Sequence, residues 1–137
     1  MNFIVKHKPV FYLLQYTWGI LLNAIGLIIS LVLLISGHKP HKFGNGYYFT
    51  VGKNWGGLEL GVCFLCGELN QSHHLLCHES GHGIQNIMWG PLFPFVIAIP
   101  SAIRYWYRRT HICKTAYDDI WFEGQATKLG EKYYGDC

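Results

Sequence analysis

Between Pro9 and Gly37 the chain carries no Asp, Glu, Lys, Arg or His. The centre of this run, "VFYLLQYTWGILLNAIGLIISLVLLI" at 10–35, would extend about 39 Å as one helix, enough to cross a bilayer with some tilt. Lys6 and Lys8 flank one end, Lys39 and Lys42 the other, and Tyr12, Tyr16 and Trp18 lie toward the N-terminal side. A chain of 137 residues has too little protein to cover such a helix on every side. The run is also longer than a signal-peptide core, and no small-residue cleavage site follows it. It predicts a transmembrane anchor over 1–37 and one small domain over 38–137.

Composition agrees with a membrane setting. Only 14% of residues are charged, against roughly 25% in ordinary soluble domains. The net charge of +3 is small and its cations are scattered, which argues against nucleic acid as a partner. Five cysteines cannot all pair within one chain, so reduced thiols facing the cytosol are the simpler expectation. Cys63 and Cys66 form "CFLC" in a strand-like context, which reads as small buried hydrophobes rather than a redox or metal pair.

After the run, "YYFTV" precedes the turn-forming "GKNWGG" and the alternating "LELGVCFL", a hairpin signal. Ser72 is placed to cap a helix starting near His73 and ending at Gly90-Pro91. "PLFPFVIAIPSAI", about 13 residues or roughly 20 Å as helix, is short for a crossing. It reads as a core helix, a re-entrant segment or one lying in the interface. "RYWYRR" at 104–109 then has the aromatic and cationic character of a membrane boundary. "AYDDIWFEGQATKLGEKYY" at 116–134 has helical spacing. The fold class expected is α+β: an N-terminal transmembrane helix, then a β-hairpin, a motif helix, an apolar helix and a C-terminal helix bearing a glutamate.

The motif is HESGH. Residues four apart share a helix face, so His78 and His82 can present imidazole nitrogens to one ion. Glu79 sits on the adjoining flank, suited to reach a water held by that ion. This is the division of labour in HExxH hydrolases, where zinc acidifies the water and the carboxylate takes its proton. A third protein ligand is needed, and the later acids are Asp118, Asp119, Glu123, Glu131 and Asp136. Glu123 is the best placed, central in the last helical stretch with Ala126 allowing close packing. Asp119, one turn before it, is a candidate to accept the free N–H of a ligand histidine. His111, Tyr105 and Tyr117 are candidate donors to a developing oxyanion. His74 shares the face of His78 and could compete for the ion.

HExxH followed by a later glutamate resembles the gluzincin class of zinc metallopeptidases. More closely, "HESGHGIQNIMWGPLFPFVIAIPSAI" followed by "FEGQATKLG" resembles a group of small bacterial membrane proteins. Their pattern runs WGGLxLG, HExGHxxQ, LGPLY, GIPS and TExxANxxG, and here "NWGGLELG" at 54–61 precedes the motif, so the likeness covers roughly residues 54–130. The resemblance implies one zinc ion held by His78, His82 and Glu123, with Glu79 as base in peptide hydrolysis. The chain departs from the pattern at Trp89, at Phe122, at Thr127 and in having Ile99-Pro100-Ser101 without the preceding Gly. Gluzincins place an Asp four residues after the third ligand, to support a metal-binding histidine; Thr127 occupies that position.

A shared ion would keep residues 38–137 largely on one side of the membrane. Counting cations on either side then puts the site on the cytoplasmic face of a bacterial inner membrane. The expected partners are the lipid bilayer and a peptide or protein substrate. The expected function is a membrane-anchored zinc metallopeptidase. The alternatives are a metal-binding membrane scaffold without turnover and a small structural membrane protein.

Overall fold

The computed structural model describes residues 2–53, 55–69, 71–109 and 120–135. Three helices come first, α1 (Asn2–Lys6), α2 (Lys8–Tyr16) and α3 (Ile20–Ile35), followed by strands β1 (His41–Phe43), β2 (Gly46–Thr50), β3 (Gly57–Leu60) and β4 (Cys63–Cys66). Helix α4 (His73–Trp89) leads through a 3-10 turn at Gly90–Leu92 and a π-helical segment at Pro94–Ala98 into α5 (Ile99–Arg109); α6 (Trp121–Tyr134) ends the described chain. The class is mixed α and β, as expected.

The uncharged run does not form one helix. It breaks at Thr17–Gly19, and α2 meets α3 at 94°. Among the described residues no single helix is long and apolar enough to cross a membrane. The expected single anchor helix is therefore corrected. Its physical cause lies in amides that a count of charges overlooks. Gln15 and Asn23 are buried, and their side chains bond to each other at 2.8 Å. Gln15 Nε2 also donates to the Gly83 carbonyl on α4 at 2.8 Å, and Asn86 Nδ2 donates to Gln15 Oε1 at 2.8 Å. Asn23 Oδ1 accepts from the Val62 N–H at 2.8 Å. A straight helix would point these groups into lipid, where an unpaired amide costs several kcal/mol. The elbow turns them into the protein instead.

The four strands lie in the order β1-β2-β4-β3. The expected hairpin between "YYFTV" and "LELGV" is not what forms. "LELGVCFL" folds back on itself at Gly61–Val62 into antiparallel β3 and β4, while β2 runs parallel to β4 with Phe49 opposite Leu65. Gly61 stands at φ 93, a conformation glycine adopts freely, at the first position of a two-residue turn. A second hairpin joins β1 to β2, with Phe43 opposite Gly46.

Strand alternation sorts the core into two faces. Tyr48, Phe64 and Cys66 pack with Leu76, Cys77 and Ile84 of α4 and Tyr134 of α6. Phe49, Cys63 and Leu65 pack with Leu22 of α3 and with Phe93 and Ile97. The sheet is thus a middle layer between α3 on one side and the α4–α6 pair on the other. Ser72 caps α4 by accepting the Leu75 N–H at 3.2 Å, as the sequence predicted. Cys63 and Cys66 are buried, and burial pushes both thiols up to about 11, which suits small core side chains rather than thiolates.

Candidate metal centre

Helices α4 and α6 touch backbone to backbone. A Cβ at Gly81 would collide with the Ala126 carbonyl, and one at Gly130 with the Cys77 carbonyl. This contact, impossible with larger side chains, brings Glu123 against the motif face. His78 Nε2 lies 3.0 Å and His82 Nε2 3.1 Å from the same Glu123 Oε2. All three residues are buried, and their ligand atoms fall within 4.8 Å of one another. Three donors around a tetrahedral ion with bonds near 2 Å sit roughly 3.4 Å apart, so the group can hold a metal ion.

The surrounding hydrogen bonds specify which ring atoms face inward. Gln85 Nε2 donates to the Phe122 carbonyl and to Gln125 Oε1, each at 2.8 Å. Its Oε1 therefore faces His82 Nδ1, 2.7 Å away, and that nitrogen must be the donor. The Nε2 atom then turns a lone pair toward a carboxylate oxygen. Two acceptors at 3.1 Å need a positive charge between them, either a proton on the ring or a bound cation. On the other ring, His78 Nδ1 pairs with Thr127 Oγ1 at 2.8 Å. Ser101 Oγ donates to Glu123 Oε1, the oxygen turned away from the rings. Burial alone would raise the Glu123 carboxyl, but the hydrogen bonds from His78 and His82 outweigh it and hold it well below the usual range.

Glu79 does not join this group. It is buried on the cleft side of α4, packed against Gly57 of β3. Burial pushes its carboxyl above the ordinary carboxylate value, partly offset by the neighbouring His78 and His82. The cleft has a volume of about 220 Å³ and is lined by β3 at Gly57, Leu58 and Glu59, by Glu79 and His82, and by apolar residues ahead of and within α5. β3 is one of the two edge strands of the sheet, and among the described residues no strand pairs with its outer rim.

The expected ligands His78, His82 and Glu123 thus converge, with Glu79 beside them. Tyr105 lines the cleft, and its hydroxyl oxygen accepts the Gly56 N–H at 3.2 Å. Asp119, His111 and Tyr117 lie outside the described residues. His74 points away from the centre, 3.7 Å from Glu131 at the surface. Sequence reasoning missed the roles of four residues. Thr127 holds His78, the role for which Asp119 was the candidate. Gln85 and Ser101 orient His82 and Glu123, and only their places in HExGHxxQ and IPS signalled them. Glu59 is a buried acid whose two oxygens have no hydrogen-bond partner of normal geometry among the described residues, although the nearby Gly61 N–H eases its charge a little. Burial, reinforced by Glu79, raises its carboxyl well above the ordinary value.

Comparison with protein-family models, curated proteins and solved structures finds no match for this chain.

Proposed function

We propose that this protein is a membrane-associated zinc metallopeptidase. The observation that carries the reading is the pair of imidazoles and one carboxylate oxygen brought together in a buried site beside an unused glutamate and an open cleft. Two histidines and a glutamate, borne on helices that cannot separate, are a donor set suited to zinc. Zinc in such a site acts as a Lewis acid and makes water a nucleophile near neutral pH.

The chain's own residues supply the rest. The free rim of β3 can align an extended peptide across the cleft through backbone hydrogen bonds. Glu79, held above its ordinary pKa by burial, is suited to take a proton from the attacking water and to return it to the departing amine. Tyr105, at the cleft wall, is the candidate donor to the carbonyl oxygen as charge develops there. His82 and His78 stay oriented through Gln85 and Thr127, and Glu123 through Ser101. The exposed apolar side chains of α3 support association with a bilayer. The cation excess favours the cytoplasmic face of a bacterial inner membrane.

The test is metal content together with turnover. Purified chain should contain close to one zinc per molecule, lost in His78→Ala. Glu79→Gln should keep the zinc while chelator-sensitive cleavage of a casein-like substrate falls by about 10²–10⁴-fold. Zinc retained with no cleavage in either form would favour the metal-binding scaffold. No zinc in the unaltered chain would remove both.

A further inference from the structure

The two ends of the uncharged run come back to the same part of the molecule. Asn45 Nδ2 donates to the Val5 carbonyl at 2.7 Å, and the Tyr12 hydroxyl donates to the Asn45 carbonyl at 2.8 Å. Lys6 and Lys8 from before the run, Gly44 and Asn45 from after it, and Lys132 from α6 border one cavity of about 530 Å³. A helix crossing a bilayer would hold residues 5 and 45 apart by the hydrocarbon thickness, about 30 Å. Here they are hydrogen-bonded.

The surface between those ends has two characters. Gln15, Asn23 and Ser30 are buried toward the protein. Leu21, Ile25, Ile28, Leu31, Val32 and Ile35 are between 48% and 78% exposed on α3. The 3-10 turn at Gly90–Leu92 packs on α3 and carries the exposed apolar side chain of Leu92. α3 itself has 16 residues, about 24 Å, too short for the hydrocarbon core. A protein partner would need about one hydrogen bond per 100–200 Å² of interface. Apart from Ser36 just past its end, α3 offers such a partner no exposed polar side chain. Trp18, 53% exposed at the elbow, is the residue type found at the headgroup level.

We infer that the outer face of α3 lies within one leaflet of a bilayer without crossing it, so that the residues on both sides of the uncharged run occupy one face of the membrane. The inference rests on the membrane association read above and is independent of the metal. It also places Lys6, Lys8, Lys39 and Lys42 on one side, where an anionic leaflet attracts them.

Two measurements on the full chain test it. In a chain whose Cys113 and Cys137 are replaced by serine, Lys6→Cys and Lys132→Cys are labelled with a membrane-impermeant maleimide in right-side-out and inverted vesicles. Labelling of both in the same vesicle orientation is expected. Labelling in opposite orientations would restore a crossing helix and overturn the inference while leaving membrane association intact. The second measurement is partition onto vesicles of zwitterionic lipid. Ile28→Asp with Leu31→Asp, folded by circular dichroism, should bind them at least tenfold less than the unaltered chain. Equal binding of the two would overturn the leaflet contact. A chain that is monodisperse without lipid or detergent and does not bind vesicles would remove the membrane reading itself, and a dimer under those conditions would identify a second copy as the cover of α3.

Discussion

Thr127 shows how much of this site depends on groups beyond the ligands. Its hydroxyl holds the Nδ1 of His78, the task for which an acid was expected, and it does so from the same helix that carries Glu123. Thr127→Val keeps the shape and removes the hydrogen bond. It should weaken metal binding by about 10–100-fold, measured by competition with a chromogenic chelator. Ser101→Ala should act in the same direction through Glu123. Glu59 has the opposite character. A carboxyl raised above its ordinary value of 4.5 stabilises the fold only while protonated, and that stability is lost as pH rises from the unfolded value through the folded one. Glu59→Gln should therefore raise stability near neutral pH by about 1–3 kcal/mol, because an acid held protonated above its unfolded pKa costs about 1.4 kcal/mol per pH unit and an amide does not. The gain should shrink as the pH is lowered toward 4.5, as followed by thermal unfolding.

At the level of elements, the motif helix was legible because several local signals agree over a short span. Ser72 caps it, the imidazoles repeat at four residues, and Gly90-Pro91 ends it. The elbow at Thr17–Gly19 was not legible, because hydropathy counts Gln15 and Asn23 as minor interruptions while the fold uses them as hydrogen-bonding anchors to α4 and to the β3–β4 turn. The strand order was hidden for a related reason. "LELGVCFL" reads as one alternating stretch, and the turn at Gly61–Val62 is recognisable only once β4 is seen lying between β2 and β3. Nothing in the sequence marks Gly81 and Gly130 as the points where two backbones meet. Gly130→Val should force α6 away from Cys77, costing about 1–3 kcal/mol in stability. It should also abolish metal binding by displacing Glu123, which separates it from a purely local defect.

For the molecule as a whole, the centre ties α4 to α6, so an ion held there would couple metal to stability. An ion bound by the native state alone, present at 1,000 times its dissociation constant, adds about 4 kcal/mol. Chelator treatment should lower the unfolding temperature of the unaltered chain by several degrees and leave that of His78→Ala unchanged. The division of the sequence into an anchor over 1–37 and a domain over 38–137 bears on the same coupling. Helix α3 is one of three layers, and Leu22 packs with Phe49, Cys63 and Leu65 of the sheet. Deleting the greasy leader, the usual first step in making such a protein easy to handle, would tear out one wall of the core along with the amide that grips Gly83 beside His82. A fragment starting at residue 38 should show no dispersed amide spectrum and no stoichiometric zinc. The practical route to this hydrolase candidate is to keep its first thirty-seven residues.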